Sequence, residues 1–269
     1  MTQALAAIAT HALALVVYPG GITLALFGLA VETVWSRLSG GPQAMPRPSL
    51  AHPLIVQVAV ALLAMLAAVE VAAPFNPVPP AERNLIIAAA ALGFTAWAEL
   101  ALDPELVAHP GLLLIIQACW VLSVLGPAIE PETLRPQVLG NVLVPGLLPV
   151  KVACGFLYLL CLPALLRLWP VAPRADRRAH PRFNITRAFV WFPYCALFTT
   201  LFLPPQGEDV PGMLRFFGVT AAVAIVALVA AAALARRGAD RARGLYSRAV
   251  PPYSALVLAL VVVTLILTR

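Results

Sequence analysis

Apolar residues occur in long runs along this chain, separated by short polar stretches. The runs occupy about 10–32, 53–74, 84–102, 111–130, 140–168, 187–204, 212–235 and 250–268. A helix needs about 20 mainly apolar residues to cross the hydrocarbon core of a bilayer. Membrane-spanning strands would show alternating polarity over segments of about ten residues, and none of these runs alternates. The pattern predicts an all-α, polytopic transmembrane bundle of about eight helices. A single integral membrane domain over 1–269 is expected.

Proline sharpens the boundaries. Pro79-Pro80 precedes Ala81-Glu82-Arg83, and Pro251-Pro252 opens the last run. Proline suits the first turn of a helix, where its missing N–H would have had no partner. The fifth run differs, because Pro145, Gly146, Pro149, Gly155 and Pro163 fall inside it. It is also too long for one crossing, so a tilted, kinked or locally broken helix is expected there. Broken helices can line functional cavities, and they also serve as plain packing solutions. Small residues such as Gly21, Ala25 and Gly28 in the first run allow close helix packing.

Composition agrees with the pattern. The chain is 61% hydrophobic and 11% charged, too few charges to clothe a soluble fold of 269 residues. The stretch Met1–Thr10 carries no Lys or Arg, so the positive region of a signal peptide is missing and the first run is expected to stay as a helix.

The net charge of +6 is unevenly spread. Arg37 and Arg47 follow the first run. Arg167, Arg174, Arg177, Arg178, Arg182 and Arg187 follow the fifth, and Arg236, Arg237, Arg241, Arg243 and Arg248 follow the seventh. The even-numbered connections hold only Arg83 and Arg135. Cytoplasmic loops accumulate Lys and Arg, so the odd connections are expected in the cytoplasm and both termini outside it, with the chain in the cell inner membrane. Arg174, Arg177, Arg178, Arg182, Arg236, Arg237, Arg241 and Arg243 are candidates for contact with anionic lipid or with partner subunits. Nucleic acid is not an expected partner, since no soluble module or aromatic interleaving accompanies the basic residues.

Candidate chemistry is sparse. Cys119, Cys154, Cys161 and Cys195 all fall within apolar runs and include no CxxC pair, so they read as packing residues. His11, His52, His109 and His180 do not form a haem-ligand pattern. No catalytic residue, metal site or cofactor is assigned. Charges inside the apolar runs are more informative, because they are costly there and usually face a cavity or a partner. They are Glu70 at the end of the second run, Glu99 in the last turn of the third, and Lys151, the only lysine, in the fifth. An ammonium can shift its pKa on burial where a guanidinium hardly can, so Lys151 with Glu70 or Glu99 would make a proton path. The alternative is that the glutamates reach the interface and Lys151 snorkels or pairs structurally.

Two stretches resemble the membrane heel subunit shared by respiratory complex I and the membrane-bound hydrogenases related to it. That subunit's first helix ends in E-R-K…A-R-x-Q-x-R-x-G-P. Here the first run ends Glu32-Thr33-Val34-Trp35-Ser36-Arg37-Leu38-Ser39-Gly40-Gly41-Pro42. The hydrogenase branch carries S-P-F…S-R-E at the start of a helix. Here Ala73-Pro74-Phe75-Asn76-Pro77 leads through Pro80-Ala81-Glu82-Arg83 into the third run. The resemblance implies eight helices, outward termini and a non-catalytic place in an energy-converting redox complex, with other membrane or cytoplasmic subunits as partners. The chain departs from the family in two ways: its long fifth connection is arginine-rich where the family's is glutamate-rich, and the Pro74–Arg83 segment falls on the outer side. A self-contained transporter of a small solute or ion is the alternative reading.

The arginine asymmetry makes a direct prediction. Reporter fusions after Arg182 and after Arg243 should register cytoplasm, and a fusion after Arg269 the outside. A cytoplasmic reading at Arg269 would overturn the eight-crossing topology.

Overall fold

A computed structural model of the chain describes residues 10–40, 48–49, 54–102, 110–129, 133–141, 146–168, 183–205, 207–237 and 239–268. Helical residues 10–16 lead through a turn at 17–20 into α1, Gly21–Gly40. There follow α2, Leu54–Val69, and α3, Leu85–Leu102. Next come α4, Pro110–Leu125, the short α5, Pro136–Asn141, and α6, Leu148–Leu165. The chain closes with α7, Ile185–Phe202, α8, Val210–Arg236, and α9, Ala239–Thr268. A two-residue parallel bridge joins Pro48–Ser49 to Phe183–Asn184. The protein is an all-α helical bundle.

Among the described residues, five segments are long and apolar enough to cross a membrane: Thr10–Leu38, Pro110–Ala128, Leu148–Leu165, Val210–Arg236 and Arg243–Leu267. Leu54–Val69 and Leu85–Ala98 are shorter apolar helices. The chain is a multi-pass membrane protein, and its surface fits that solvent. Leu54, Leu214, Ile266 and Leu267 are exposed on helix faces where water would penalise them and lipid does not.

The fifth run is interrupted. Helix α5 ends at Asn141 and α6 begins only at Leu148, with Pro149 in its first turn. Pro163 lies near the other end of α6, where the helix is about to close.

Helix α7 occupies the middle of the bundle. It packs against α1, α2, α8, α5, α6 and α3. Trp191, Phe192, Cys195, Ala196, Leu197, Thr200 and Leu201 on it are almost wholly buried. Its centre is filled by aromatic rings in edge-on contact. Trp120 of α4 meets Tyr194 at 5.3 Å and Tyr158 of α6 at 5.9 Å between centroids. Tyr158 also meets Phe198 at 5.4 Å. Such pairs contribute about 0.5–1.5 kcal/mol each beyond their buried area. The tyrosine hydroxyls stay satisfied in this dry setting, with Tyr158 donating to the Tyr194 carbonyl at 2.7 Å and Tyr194 to that of Leu92 at 3.2 Å.

Helices α1 and α7 approach closely at Gly28. A Cβ built on Gly28 would lie 2.1 Å from the carbonyl oxygen of Ala188. Only glycine lets the two backbones approach this far, the role small residues play in membrane bundles. The sequence pattern expected tight packing along Gly21, Ala25 and Gly28, and Gly28 is where it is enforced.

The connections sort by parity. Residues from the connections after α2, around α5 and after α7 gather around one cleft. At the other end, the bridge joins the connection after α1 to the one before α7. Helices α2 and α7 therefore run toward the cleft, and α3 and α8 away from it.

Gly28→Leu should break the α1–α7 contact, because overpacking costs typically about 1–3 kcal/mol and here the obstacle is backbone. Gly111→Leu, where an added Cβ meets nothing within 4 Å, should be tolerated. Monodispersity and thermal unfolding of the two variants in detergent provide the comparison. Equal behaviour would contradict the placement of α7.

Candidate functional site

Among the described residues, the buried charged groups form two clusters, one toward each end of α7. The first is built on Glu32 of α1, which is 1% exposed. Its Oε1 accepts from Arg187 Nε at 2.5 Å and its Oε2 from Arg187 Nη2 at 2.7 Å. Trp191 Nε1, one turn further along α7, donates to Oε1 at 2.8 Å. A bidentate arginine matches both oxygens of a carboxylate and fixes its orientation. Spacing explains why both donors come from one helix, since residues four apart share a face.

Arg167 lies near this end at the close of α6. Its φ is +53°. Leu168 N–H donates to the Pro163 carbonyl at 2.9 Å and Arg167 N–H to that of Ala164 at 3.0 Å. This is a Schellman closure with arginine where glycine is usual. A side chain there costs about 1–2 kcal/mol of backbone strain. Arg167 shares the lining of a small recess with Thr95, Arg187 and Val190, so the strained position carries a second guanidinium to the end where Glu32 sits.

The second cluster surrounds the connection between α2 and α3. Glu70 is buried, and its Oε2 accepts from the Asn84 backbone N–H at 2.6 Å. That contact places a carboxylate at the start of α3, where the helix dipole favours negative charge. Asn76 ties the connection together. Its Nδ2 donates to Val69 and Val71 carbonyls at 2.8 and 3.2 Å, and its Oδ1 accepts from Val78 N–H at 3.1 Å. Arg83, 3% exposed, spans the same turn. Its Nε and Nη2 donate to the Val78 carbonyl at 3.0 and 2.7 Å, and Nη2 also to that of Asn76 at 3.3 Å.

Lys151 lies on α6 beside this cluster and is 6% exposed. Its Nζ donates to the Leu139 carbonyl at 2.7 Å and to the Gly140 carbonyl at 3.0 Å. These oxygens belong to the last turn of α5, where a cation is favoured by the dipole. Gly140 is pressed on α7, so that an added Cβ would lie 2.2 Å from the Thr200 carbonyl. The Thr200 hydroxyl in turn accepts from Ala72 N–H at 3.2 Å. Lys151, α5, α7 and the α2–α3 connection are thus joined through backbone groups.

The three acidic and basic candidates from the sequence are treated differently by the fold. Glu70 and Lys151 lie toward the same end, yet neither hydrogen bonds to nor pairs with the other. Glu99 is on α3, and its side chain lies outside the described residues. Arg174, Arg177, Arg178 and Arg182 also lie outside them, as do Gly41 and Pro42. Arg236, Arg237, Arg241 and Arg243 are exposed around the α8–α9 junction. Arg187, grouped by the sequence with the loop arginines, instead belongs to α7 and points at Glu32. Sequence reasoning took Glu32 only as part of a motif and passed over Trp191. The i, i+4 spacing of Arg187 and Trp191 was the available signal. The four cysteines are buried free thiols, as packing residues would be. No group of three His, Cys, Asp or Glu that could hold a metal occurs among the described residues.

Removing the Lys151 ammonium leaves two helix-end carbonyls buried without it. Lys151→Met should therefore lower stability by about 1–3 kcal/mol, read as a lower unfolding temperature in detergent, and Lys151→Arg should lower it less. Unchanged melting of the Met variant would show that Lys151 does not hold α5.

No protein-family model matches the chain, and a search of curated proteins finds no match.

Proposed function

We propose that this protein is a non-catalytic membrane subunit of an energy-converting redox assembly of the complex I and hydrogenase type. It would lie in the cell inner membrane with both termini outside the cytoplasm. Its role is to anchor partner subunits at the end bearing the arginine-rich connections.

The observation that carries this reading is Glu32. The resemblance to the heel subunit begins at this residue, and here its carboxylate is retained deep in an apolar helix, clamped by Arg187 and Trp191. A charge in a membrane helix costs about 2.5–3.5 kcal/mol on insertion scales, so its retention calls for a reason beyond solubility. The dense aromatic packing around α7 supports a static anchor over a transporter, which would need its centre to open. The exposed Arg236, Arg237, Arg241 and Arg243 supply a charged surface for an acidic partner face or for anionic lipid. A contribution of Glu70, Glu99 and Lys151 to proton movement stays part of the proposal. The backbone partners of Glu70 and Lys151 favour structural roles for those two.

The test is purification of the tagged full chain from native membranes in mild detergent, with identification of what accompanies it. Redox subunits should co-purify in fixed ratio. Replacing Arg236, Arg237, Arg241 and Arg243 together by glutamine should release the peripheral ones while the chain itself stays monodisperse. A chain that purifies alone and moves a solute or proton in vesicles would overturn the proposal.

A further inference from the structure

The cleft at the end of the bundle away from Glu32 has the make-up of a ligand site. It encloses about 160 Å³ and is lined by Ala72, Arg83, Gln137, Asn141, Pro205 and Glu208, among others. That is room for several waters or for one small polar molecule.

Its walls carry both signs of charge. Arg83 is buried, and its Nε and Nη2 are held by backbone carbonyls. No described residue accepts a hydrogen bond from its Nη1. A guanidinium offers five N–H donors in a fixed plane, so holding one edge against Val78 leaves donor capacity on a side chain that lines the cleft. Glu208 is exposed and also lines the cleft, in the connection between α7 and α8. Glu208 and Glu70 are the carboxylates within electrostatic reach of Arg83. Glu70 is committed to the Asn84 N–H, whereas Glu208 makes no hydrogen bond among the described residues and is attracted to Arg83 by charge alone.

The wall bearing Glu208 is held in place. Pro204 and Pro205 stiffen the chain before it. Asp209 caps α8 directly after it, accepting from Gly212 N–H at 2.8 Å. The third wall is α5, which Lys151 fastens to α6. It presents Gln137, whose Oε1 is buried without a hydrogen-bond partner. A buried amide oxygen left unpaired costs about 1–3 kcal/mol. The terminal amide torsion of glutamine is broad, so a modest rotation would turn this group toward a donor in the cleft.

An anion alone would meet Arg83 but also Glu208, and a cation alone the reverse. A molecule with both charges satisfies all three walls. We infer that this cleft binds a small zwitterion, a compact amino-acid-like molecule whose carboxylate meets Arg83 and whose ammonium meets Glu208 and the Gln137 amide. The inference rests on the cleft and is independent of the assembly in which the protein takes part.

The test is calorimetric titration of the full chain in lipid nanodiscs, with glycine and L-alanine as probes. Acetate and methylammonium serve as single-charge controls. The zwitterions should bind saturably at concentrations up to about 10 mM, the range expected for a few polar contacts. Acetate and methylammonium should bind at least about tenfold more weakly. Glu208→Gln changes an exposed side chain and should leave folding intact while weakening zwitterion binding about tenfold or more. Gln137→Leu should weaken it as well and leave the unfolding temperature unchanged or raised. Absence of saturable heat with either amino acid overturns the inference. So does acetate or methylammonium binding as tightly as alanine, or alanine affinity unchanged in both variants.

Discussion

The bundle depends on how α7 is held, and the ionic contact that holds it is the one between Glu32 and Arg187. In water such a pair would compete with solvent and be worth little. Inside this bundle the carboxylate is 1% exposed, and removing Arg187 would leave its charge with the Trp191 N–H as its described hydrogen-bond donor. A buried pair is not by itself a gain over a well-packed apolar one, but it specifies one register strongly. Slip α7 by a single residue and Arg187 and Trp191 turn away from Glu32 together. The Gly28–Ala188 approach, four residues before Glu32 on α1, works in the same sense. It brings the backbones close enough for short side-chain bonds to form, and the bonds keep the close approach in place.

The far end of α7 is fixed by other means. There the contacts are backbone groups answered by a few side chains: Thr200 with Ala72, Lys151 with Leu139 and Gly140, Glu70 with Asn84, Arg83 with Val78. Each serves a helix end or a tight connection, where N–H and C=O groups lack partners within their own helix. In a membrane those groups cannot turn to water, which explains why this chain retains charged side chains at such positions. The same requirement accounts for Lys151. Its uniqueness suggested an exchangeable proton, and its geometry gives it two carbonyls at the end of a short helix. The cleft beside it is bounded by these fastened connections and so has stable walls.

Much of the fold was legible because spanning helices announce themselves by length and apolarity. The runs at 10–32, 111–130, 212–235 and 250–268 correspond to long helices. The prolines of the fifth run marked its break, and the described turn at Gly146 and Leu147 lies in it. The identity of the central helix was not legible. The run at 187–204 has no greater hydrophobic content than its neighbours, and in a membrane the most buried helix need not be the most apolar, since lipid and protein interior are alike in polarity. The cluster at Glu32 was hidden for a different reason. Its members are 155 and 159 residues apart, and arginine at the start of a helix reads equally as a topology signal. Lys151 was found as a residue, but the partners described for it are carbonyls, which no side-chain pattern reveals.

The most direct measurement is a double-mutant cycle on Glu32 and Arg187, with stability read from reversible unfolding in mixed micelles. Glu32→Gln and Arg187→Gln should each cost about 3–5 kcal/mol, the range for breaking a buried pair. The double variant should cost little more than either, giving a coupling of about 3 kcal/mol or more, at or above the top of the roughly 0.5–3 kcal/mol seen for contacting residues. Additive losses, with a coupling below about 0.5 kcal/mol, would contradict the claim that this contact sets the position of α7.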